Sequence, residues 1–400
     1  MCDARALSAC LLAVSLLAGC GESPRPPTGV AGGGAGAEAG GGGTGAAGLG
    51  GLGGAGAGAG GAAAGSGGLG GSVEPVGTDL GALGVESVTT WRGDAQGAYT
   101  IIHDDICDYT IDSLFDIAGP ELTMRGLRAA FGAIVSRCEE RELWDELEVL
   151  RASGHEIINH SWDHQDIVLQ APPLDVQMDQ ATQVLDANLV GQKTSFYIFP
   201  YDSFDDAAVQ HLGALGYLGA RAGEKGVNDK DFPDGLRVMF DVYGGEHSIY
   251  DGEGDILQIY VDLAISQGGW SVREFHGVAD NTFFPIEVEA YRVHLDYAKS
   301  KVESGELWVD TPTAVVRYRF ARQYCGLPVT SSYSVGFANP SADCLRYAAP
   351  LSVIVTTAVD APSVLVAQGA VMQASKKLGP NRFLVEIDPS LGPAALGGGS

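Results

Sequence analysis

The stretch that decides the fold is Tyr99-Thr-Ile-Ile-His-Asp-Asp105, an apolar, β-branched run that ends in two carboxylates. Such a run is typical of a buried strand. Outward from it, strand-like runs alternate with helical spacing as far as about residue 325. The predicted strands are 156–158, 195–199, 217–220, 236–242, 272–276 and 307–309, and the predicted helices are 124–152, 174–190, 207–215, 257–266, 288–302 and 314–324. This alternation predicts an α/β fold built on a parallel sheet or barrel.

Polar side chains follow several of the predicted strands. Asp104 and Asp105 end the first strand, His160-Ser-Trp-Asp-His164 follows the next, and Pro200-Tyr201 follows a later one. Active sites of parallel α/β folds lie where the strands end. Two histidines four residues apart would face one side of a helical turn and bind one metal with a carboxylate from the aspartate pair. The other aspartate would then stay free as a base.

In these motifs the chain resembles the polysaccharide deacetylases of the NodB homology group, carbohydrate esterase family four. Ile102-His103-Asp104-Asp105 matches the family's T-F-D-D at its two essential positions, and residues 160–164 match H-S/T-x-x-H in full. Ile198-Phe-Pro-Tyr201 aligns with R-x-P-Y without the arginine, and Glu274-Phe-His276 keeps the histidine of leucine-x-histidine without the leucine. The resemblance covers roughly residues 90–325 and implies a distorted (β/α) barrel.

The resemblance also implies a role for each matching residue. Asp104 resembles the catalytic base, His276 the general acid, and the backbone N–H of Tyr201 part of the oxyanion hole. The implied ligands of a divalent metal are Asp105, His160 and His164. Zinc is the metal we expect, and cobalt or nickel would suit the same ligands. The implied activity is a hydrolase that removes N- or O-linked acetyl groups from a polysaccharide or a peptidoglycan-type glycan.

Two partners that the family provides have no obvious counterpart in the motifs. Ile198 cannot hold the base aspartate by a salt bridge, so Arg221 and Arg273 are the candidates to replace the missing arginine. The candidate carboxylates for orienting His276 are Asp241, Asp255 and Asp262. These departures leave open a second interpretation, a catalytically impaired, carbohydrate-binding surface lipoprotein.

The N-terminus has the form of a targeting segment. Residues 1–20 combine Arg5 with an apolar stretch and small residues, as secretory signals do. Leu17-Ala-Gly-Cys20 resembles a bacterial lipoprotein box, in which Cys20 becomes a lipidated N-terminus; an ordinary signal peptide is the alternative. Residues 21–85 are rich in Gly and Ala and predict a flexible linker. We therefore expect a lipid-anchored protein of the cell envelope, which in a Gram-negative host would lie at the outer membrane or the extracellular face.

Composition excludes two classes of function. The chain of 400 residues has 24 Lys and Arg against 50 Asp and Glu, a net charge of −26. Such a charge repels phosphate backbones, so we expect no nucleic-acid binding. No apolar run reaches the roughly 20 residues of a membrane-spanning helix, so we do not expect an integral membrane protein.

The C-terminal part of the chain, from residue 326, differs from the domain at 86–325. Residues 326–395 predict a loop and a small β appendage on the barrel, and residues 397–400 predict disorder. For an exported chain we expect disulfides, and Cys325–Cys344 is favoured because both cysteines flank one loop. Cys107–Cys138 is possible, and buried free thiols are the alternative. We expect a monomer.

Overall fold

The computed structural model describes residues 76–244 and 255–399. The predicted signal segment, Cys20 and most of the predicted linker lie outside these ranges. Within them, no helix is long and apolar enough to span a membrane.

Strands and helices alternate in the first part of the described chain, and strands dominate the last part. The strands are β1 (Leu83–Val88), β2 (Gly97–Ile106), β3 (Ala130–Ala133), β4 (Glu156–Asn159), β5 (Phe196–Ile198), β6 (Gly219–Arg221), β7 (Asp241–Val242), β8 (Trp270–Phe275), β9 (Leu307–Val309), β10 (Val329–Thr330), β11 (Ser334–Gly336), β12 (Leu351–Thr357), β13 (Ser363–Gln368), β14 (Val371–Ala374), β15 (Lys376–Gly379), β16 (Arg382–Ile387) and β17 (Ala394–Gly399). The α-helices are α1 (Gly119–Met124), α2 (Val135–Glu140), α3 (Trp144–Ala152), α4 (Ala181–Asn188), α5 (Asp206–Leu215), α6 (Ile256–Gln267), α7 (Val288–Glu303), α8 (Pro312–Cys325) and α9 (Ala342–Arg346).

A curled parallel sheet forms the centre of the α/β part. Its order is β6-β5-β4-β3-β2-β8-β7, and β9 pairs with β2 beside it. The two edges of the sheet, β6 and β7, approach each other through the segment between them. The Val238 N–H donates to the Ala220 carbonyl, and the Gly226 N–H donates to the Phe240 carbonyl. The predicted α/β class and distorted barrel are therefore confirmed, and all the strand ends that carry the motifs point to one rim.

The central strand β2 is apolar because it is buried on both faces. Ile101 packs in a core cluster with Leu257 of α6 and Leu295 of α7, outside the sheet. Ile102 faces the other way and packs with Trp270 and other side chains inside the curl. Parallel strands covered on both sides are typically apolar throughout, which is why the run at 99–102 identifies the fold.

The predicted helix at 124–152 is wrong over its first half. Residues 130–133 form β3, between α1 and the pair α2 and α3. The apolar residues at 127, 131, 134 and 135 fit helical spacing because a strand buried on both faces is apolar at every position. Of the predicted strand at 236–242, only Asp241–Val242 is a strand. The ends of the other predicted elements agree with those of observed elements to within about three residues, with one exception. The predicted helix at 174–190 begins as a π-helical turn at 175–180, and α4 follows it.

The C-terminal part is a β-sandwich, larger than the small appendage predicted. Its two antiparallel sheets have the orders β1-β12-β16-β15 and β10-β11-β17-β13-β14. Residues such as Val353, Val366 and Phe383 form its core, to which Tyr318 of α8 also belongs. The predicted boundaries at 85 and 395 are wrong, because β1 begins at Leu83 and β17 runs through 397–399. Pairing with distant strands orders these short segments, and no local pattern reveals that pairing.

Both pairs of cysteines form disulfides. Cys107–Cys138 joins the end of β2 to α2, and Cys325–Cys344 joins the end of α8 to α9. The favoured pair and the possible pair are thus both confirmed.

Candidate active site and metal centre

A cavity of about 360 Å³ lies at the rim where the parallel strands end. All the predicted site residues line it, namely Asp104, Asp105, His160, His164, Tyr201 and His276. Asp202, Arg221, Glu274 and Phe283 also line it, of which the sequence suggested only Arg221 as a candidate.

Three of the predicted residues form a compact set of metal-binding atoms. Asp105 Oδ1 lies 3.2 Å from His160 Nε2 and 3.2 Å from His164 Nε2. Nδ1 of His160 donates to the Ile198 carbonyl at 3.0 Å, which leaves its Nε2 lone pair facing Asp105. Asp105 Oδ1 is buried and has no hydrogen-bond partner within the described residues. Ligand atoms of a tetrahedral metal at roughly 2.0–2.1 Å lie about 3.3 Å apart, so these residues fit a divalent metal.

The two histidines do not share a helical turn, contrary to the prediction. They lie in a loop after β4 in which Ser161 and His164 have φ values of 71° and 62°. The Ser161 N–H donates to Asn159 Oδ1, and the His164 N–H donates to Ser161 Oγ. Left-handed backbone is incompatible with a helical turn and costs energy in non-glycine residues. This tight loop, rather than helical periodicity, turns both imidazoles toward Asp105.

Arg221 holds the aspartate predicted to be the base. Its Nη1 donates to Asp104 Oδ1 at 2.9 Å and its Nη2 donates to Asp104 Oδ2 at 2.6 Å, and both side chains are buried. Arg221 ends β6, so this strand supplies the guanidinium that Ile198 on β5 cannot. The other candidate, Arg273, instead pairs with Asp241 at 2.7 Å. Of the two replacements left open by the sequence, the structure selects Arg221.

The charge of Arg221 also sets the ionisation of Asp104. Burial alone would raise the pKa of this carboxyl, but the positive charge of Arg221, with a contribution from His160, outweighs burial and lowers the pKa below its usual value. Asp104 is therefore a carboxylate at neutral pH, as a base must be.

None of the three aspartates suggested as partners of His276 contacts it. Asp241 binds Arg273, Asp255 caps α6, and Asp262 accepts a hydrogen bond from Tyr297. His276 Nε2 instead lies 3.8 Å from Asp105 Oδ2 and 3.9 Å from Glu274 Oε1. The His276 carbonyl lies 2.7 Å from Nδ1 of His103.

Sequence reasoning missed Glu274, which stands where the family motif has leucine. Its side chain is buried, and its Oε2 has no hydrogen-bond partner within the described residues, although Arg221 Nη2 lies 3.4 Å away. Burial raises the pKa of Glu274 well above its usual value; the charges of Asp202 and Asp104 add to this effect, and Arg221 opposes it. The only sequence signal was a charged residue, two positions before His276, at the motif position where the family has leucine.

Two aromatic side chains border the cavity. Tyr201 follows β5 in a turn, with φ of 58°, and its ring centroid lies 4.6 Å from that of His164. The Phe283 ring lies 5.2 Å from the ring of His276. Tyr201 is 66% exposed and Phe283 is 52% exposed, so both rings are accessible to a large substrate.

Residues 107–220 match the family model described as polysaccharide deacetylase. The matched segment includes His160, His164 and Tyr201, and it begins directly after the strand that carries the two aspartates. The match agrees with the resemblance drawn from the motifs: this segment of the chain is similar to the polysaccharide deacetylase family. No curated protein matches the sequence.

Several solved structures are similar to the chain at low identity. The deacetylase PplD of Streptococcus pyogenes, in complex with acetate, is 20% identical, with a TM-score of 0.28, and the match covers 31% of this chain and 55% of that one. The family 4 carbohydrate esterase of Streptomyces lividans, in complex with acetate, is 15% identical, with a TM-score of 0.35 over 54% and 92%. The peptidoglycan deacetylase PdaC of Bacillus subtilis is 14% identical, with a TM-score of 0.38 over 57% and 95%.

Proposed function

We propose that the protein is a metal-dependent deacetylase that removes acetyl groups from a polysaccharide or a peptidoglycan-type glycan. The observation that carries this proposal is the convergence of Asp105, His160 and His164 beside a carboxylate, Asp104, that Arg221 keeps ionised. A metal held by those three residues, most simply zinc, would polarise the acetyl carbonyl and lower the pKa of water. The family match over residues 107–220 supports the reaction class.

The residues of the chain then supply the proton transfers. Asp104 takes a proton from the water that attacks the acetyl carbon. The backbone N–H of Tyr201 donates to the oxyanion that forms. His276 gives a proton to the departing amine or alcohol. The catalytically impaired alternative rested on the absent arginine at 198, and with Arg221 bound to Asp104 no observation favours it.

Acetate release tests this function. The metal-loaded protein is incubated with N-acetylated and O-acetylated glycans in turn, and the comparison decides which linkage it cleaves. We expect Asp104→Asn to lose most activity, and Asp112→Asn, which changes an exposed carboxylate outside the cavity, to keep it. A folded, zinc-loaded wild type that releases no acetate from either glycan would overturn the proposal.

We also propose that the protein acts as a lipid-anchored monomer at the cell envelope. The lipoprotein-like sequence ending at Cys20 and the Gly-rich stretch after it support this localisation. Incorporation of a labelled fatty acid in the bacterial host should be lost in Cys20→Ala. Unchanged labelling of that variant would refute anchoring at this cysteine, and a dimer in light scattering would refute the monomer.

A further inference from the structure

Glu274 is a buried carboxyl group in the catalytic cavity that the mechanism above does not use. Its Oε1 lies 3.9 Å from His276 Nε2, and its Oε2 has no hydrogen-bond partner within the described residues. A buried polar atom without a partner costs stability, so its retention in a cavity points to a group that a substrate would meet. An apolar residue at this position would destabilise the folded protein less.

The surroundings of Glu274 differ from those of Asp104, although both lie near Arg221. Both oxygens of Asp104 accept hydrogen bonds from the guanidinium, whereas Glu274 approaches it only to 3.4 Å. The other charged groups that act on Glu274 are Asp202 after β5, Asp104 on β2 and Lys225. One carboxyl group is thus held by two hydrogen bonds to a guanidinium, and the other is buried without such a bond. Neighbouring carboxyl groups in environments as different as these typically divide into a base and an acid.

We propose that Glu274 is a second acid of the reaction, a neutral carboxyl group that donates its proton to the leaving nitrogen or oxygen of the substrate. This role rests on the proposed deacetylation. Glu274 works beside His276, whose Nε2 faces the same space, so that either group can deliver the one proton the leaving atom needs.

The proton balance closes within the cavity. Water forms the new C–O bond and its proton passes to Asp104. The C–N or C–O bond to the glycan then breaks, and its electron pair takes the proton of Glu274. The Glu274 carboxylate left behind lies 3.4 Å from Arg221, which offsets its charge. The proton on Asp104 returns to Glu274 through one bridging water, because each of these two residues and His276 offers an atom within 4.8 Å of the others, a separation that a single water can bridge.

Two substrates with different leaving groups test this role. An N-acetylglucosamine oligomer has a leaving amine that must be protonated, whereas the nitrophenolate of 4-nitrophenyl acetate departs without a proton. We expect Glu274→Gln to lower kcat for the oligomer at least about tenfold, the low end of general-acid effects because His276 remains. The rate on 4-nitrophenyl acetate should change less than about twofold, since no acid assists that step. Glu274→Leu, which restores the family residue, should behave in the same way.

Glu156→Gln is the matched control, because Glu156 begins β4 at the opposite end of the strands and should affect neither substrate. Full activity of Glu274→Gln on the oligomer would overturn the proposal. An equal loss on both substrates would also overturn it, because that result indicates a structural role through Arg221 and Asp104. Wild-type inactivity on both substrates would overturn the deacetylase function itself, and this role with it.

Discussion

Replacing Arg221 with methionine removes the guanidinium from Asp104 and keeps much of the side-chain volume. The two hydrogen bonds that Asp104 loses measure 2.9 and 2.6 Å, and neither side chain is more than 3% exposed. Removing one partner of a buried ion pair destabilises a protein by about 3–5 kcal/mol. We expect a loss of that size in denaturant unfolding of Arg221→Met at neutral pH.

The same substitution should move the acid limb of activity. Burial raises the pKa of Asp104 and Arg221 lowers it, so without Arg221 the pKa rises above the usual value of about 3.9. A carboxyl with a lowered pKa stabilises the fold above its unfolded pKa, and this stabilisation is lost as the pH falls through its folded pKa. The same protonation of Asp104 removes the base. In the wild type, the acid limb of kcat/KM due to Asp104 should lie below about pH 3.9, because its pKa is lowered. In Arg221→Met it should lie above this value, and a tenfold change in the proton affinity of Asp104 corresponds to about 1.4 kcal/mol.

Arg273→Met is the matched control. Arg273 is equally buried and pairs with Asp241 at 2.7 Å, but it does not contact Asp104. We expect a similar loss of stability with the acid limb unchanged. The reasoning is refuted if Arg221→Met keeps the wild-type acid limb, or if Arg273→Met moves it as far.

Three further variants test the metal site, the Cys325–Cys344 disulfide and the rim of the cavity. His164→Ala removes one of three metal-binding atoms, so the zinc content measured after dialysis should fall well below one per chain; full retention would contradict the site. Replacing Cys325 and Cys344 by serine removes a cross-link spanning 19 residues and should lower the free energy of unfolding by about 3 kcal/mol. Neither residue lines the cavity, so the folded variant should still release acetate. Loss of acetate release would contradict the assignment of the active site to this cavity. Phe283→Ala should raise KM several-fold with little change in kcat, since the exposed ring of Phe283 borders the cavity. Phe284→Ala, which changes a ring outside the cavity lining, is the control. Equal increases of KM in the two variants would contradict a contact between Phe283 and the substrate.

The candidate active site could be predicted because most of its residues come from short motifs in the sequence. Asp104 and Asp105 end a strand whose apolar character is unmistakable, and His160 and His164 are separated by only three residues. Strand ends in a parallel sheet meet at one edge, so the motifs could be brought together without knowing any long-range contact. The loop that presents the histidines was misread because left-handed residues such as Ser161 leave no clear pattern in a sequence.

The electrostatic partners could not be predicted from the same motifs. Arg221 reaches Asp104 across 117 positions of sequence, and it ends a short strand whose side-chain direction depends on the curl of the sheet. Glu274 appeared only as a departure from a motif, and its burial follows from strands on either side of β8. The full size of the β-sandwich was not predicted for a similar reason, since pairing with other strands, rather than local composition, orders β1 and β17.

The pairing of β1 with β12 has a consequence for biogenesis. Leu83 lies opposite Thr357, so the earliest strand of the described chain pairs with one that is made much later. Thr78, ahead of β1, likewise donates its N–H to the Gly398 carbonyl. About 260 residues separate β1 from β12, which a ribosome adds in roughly 15–50 s at 5–20 residues per second. During that interval β1 has an open edge that can pair with other chains. A nascent chain must therefore keep this strand from neighbouring chains, by a chaperone or by rapid transport, until residues 351–399 have been made.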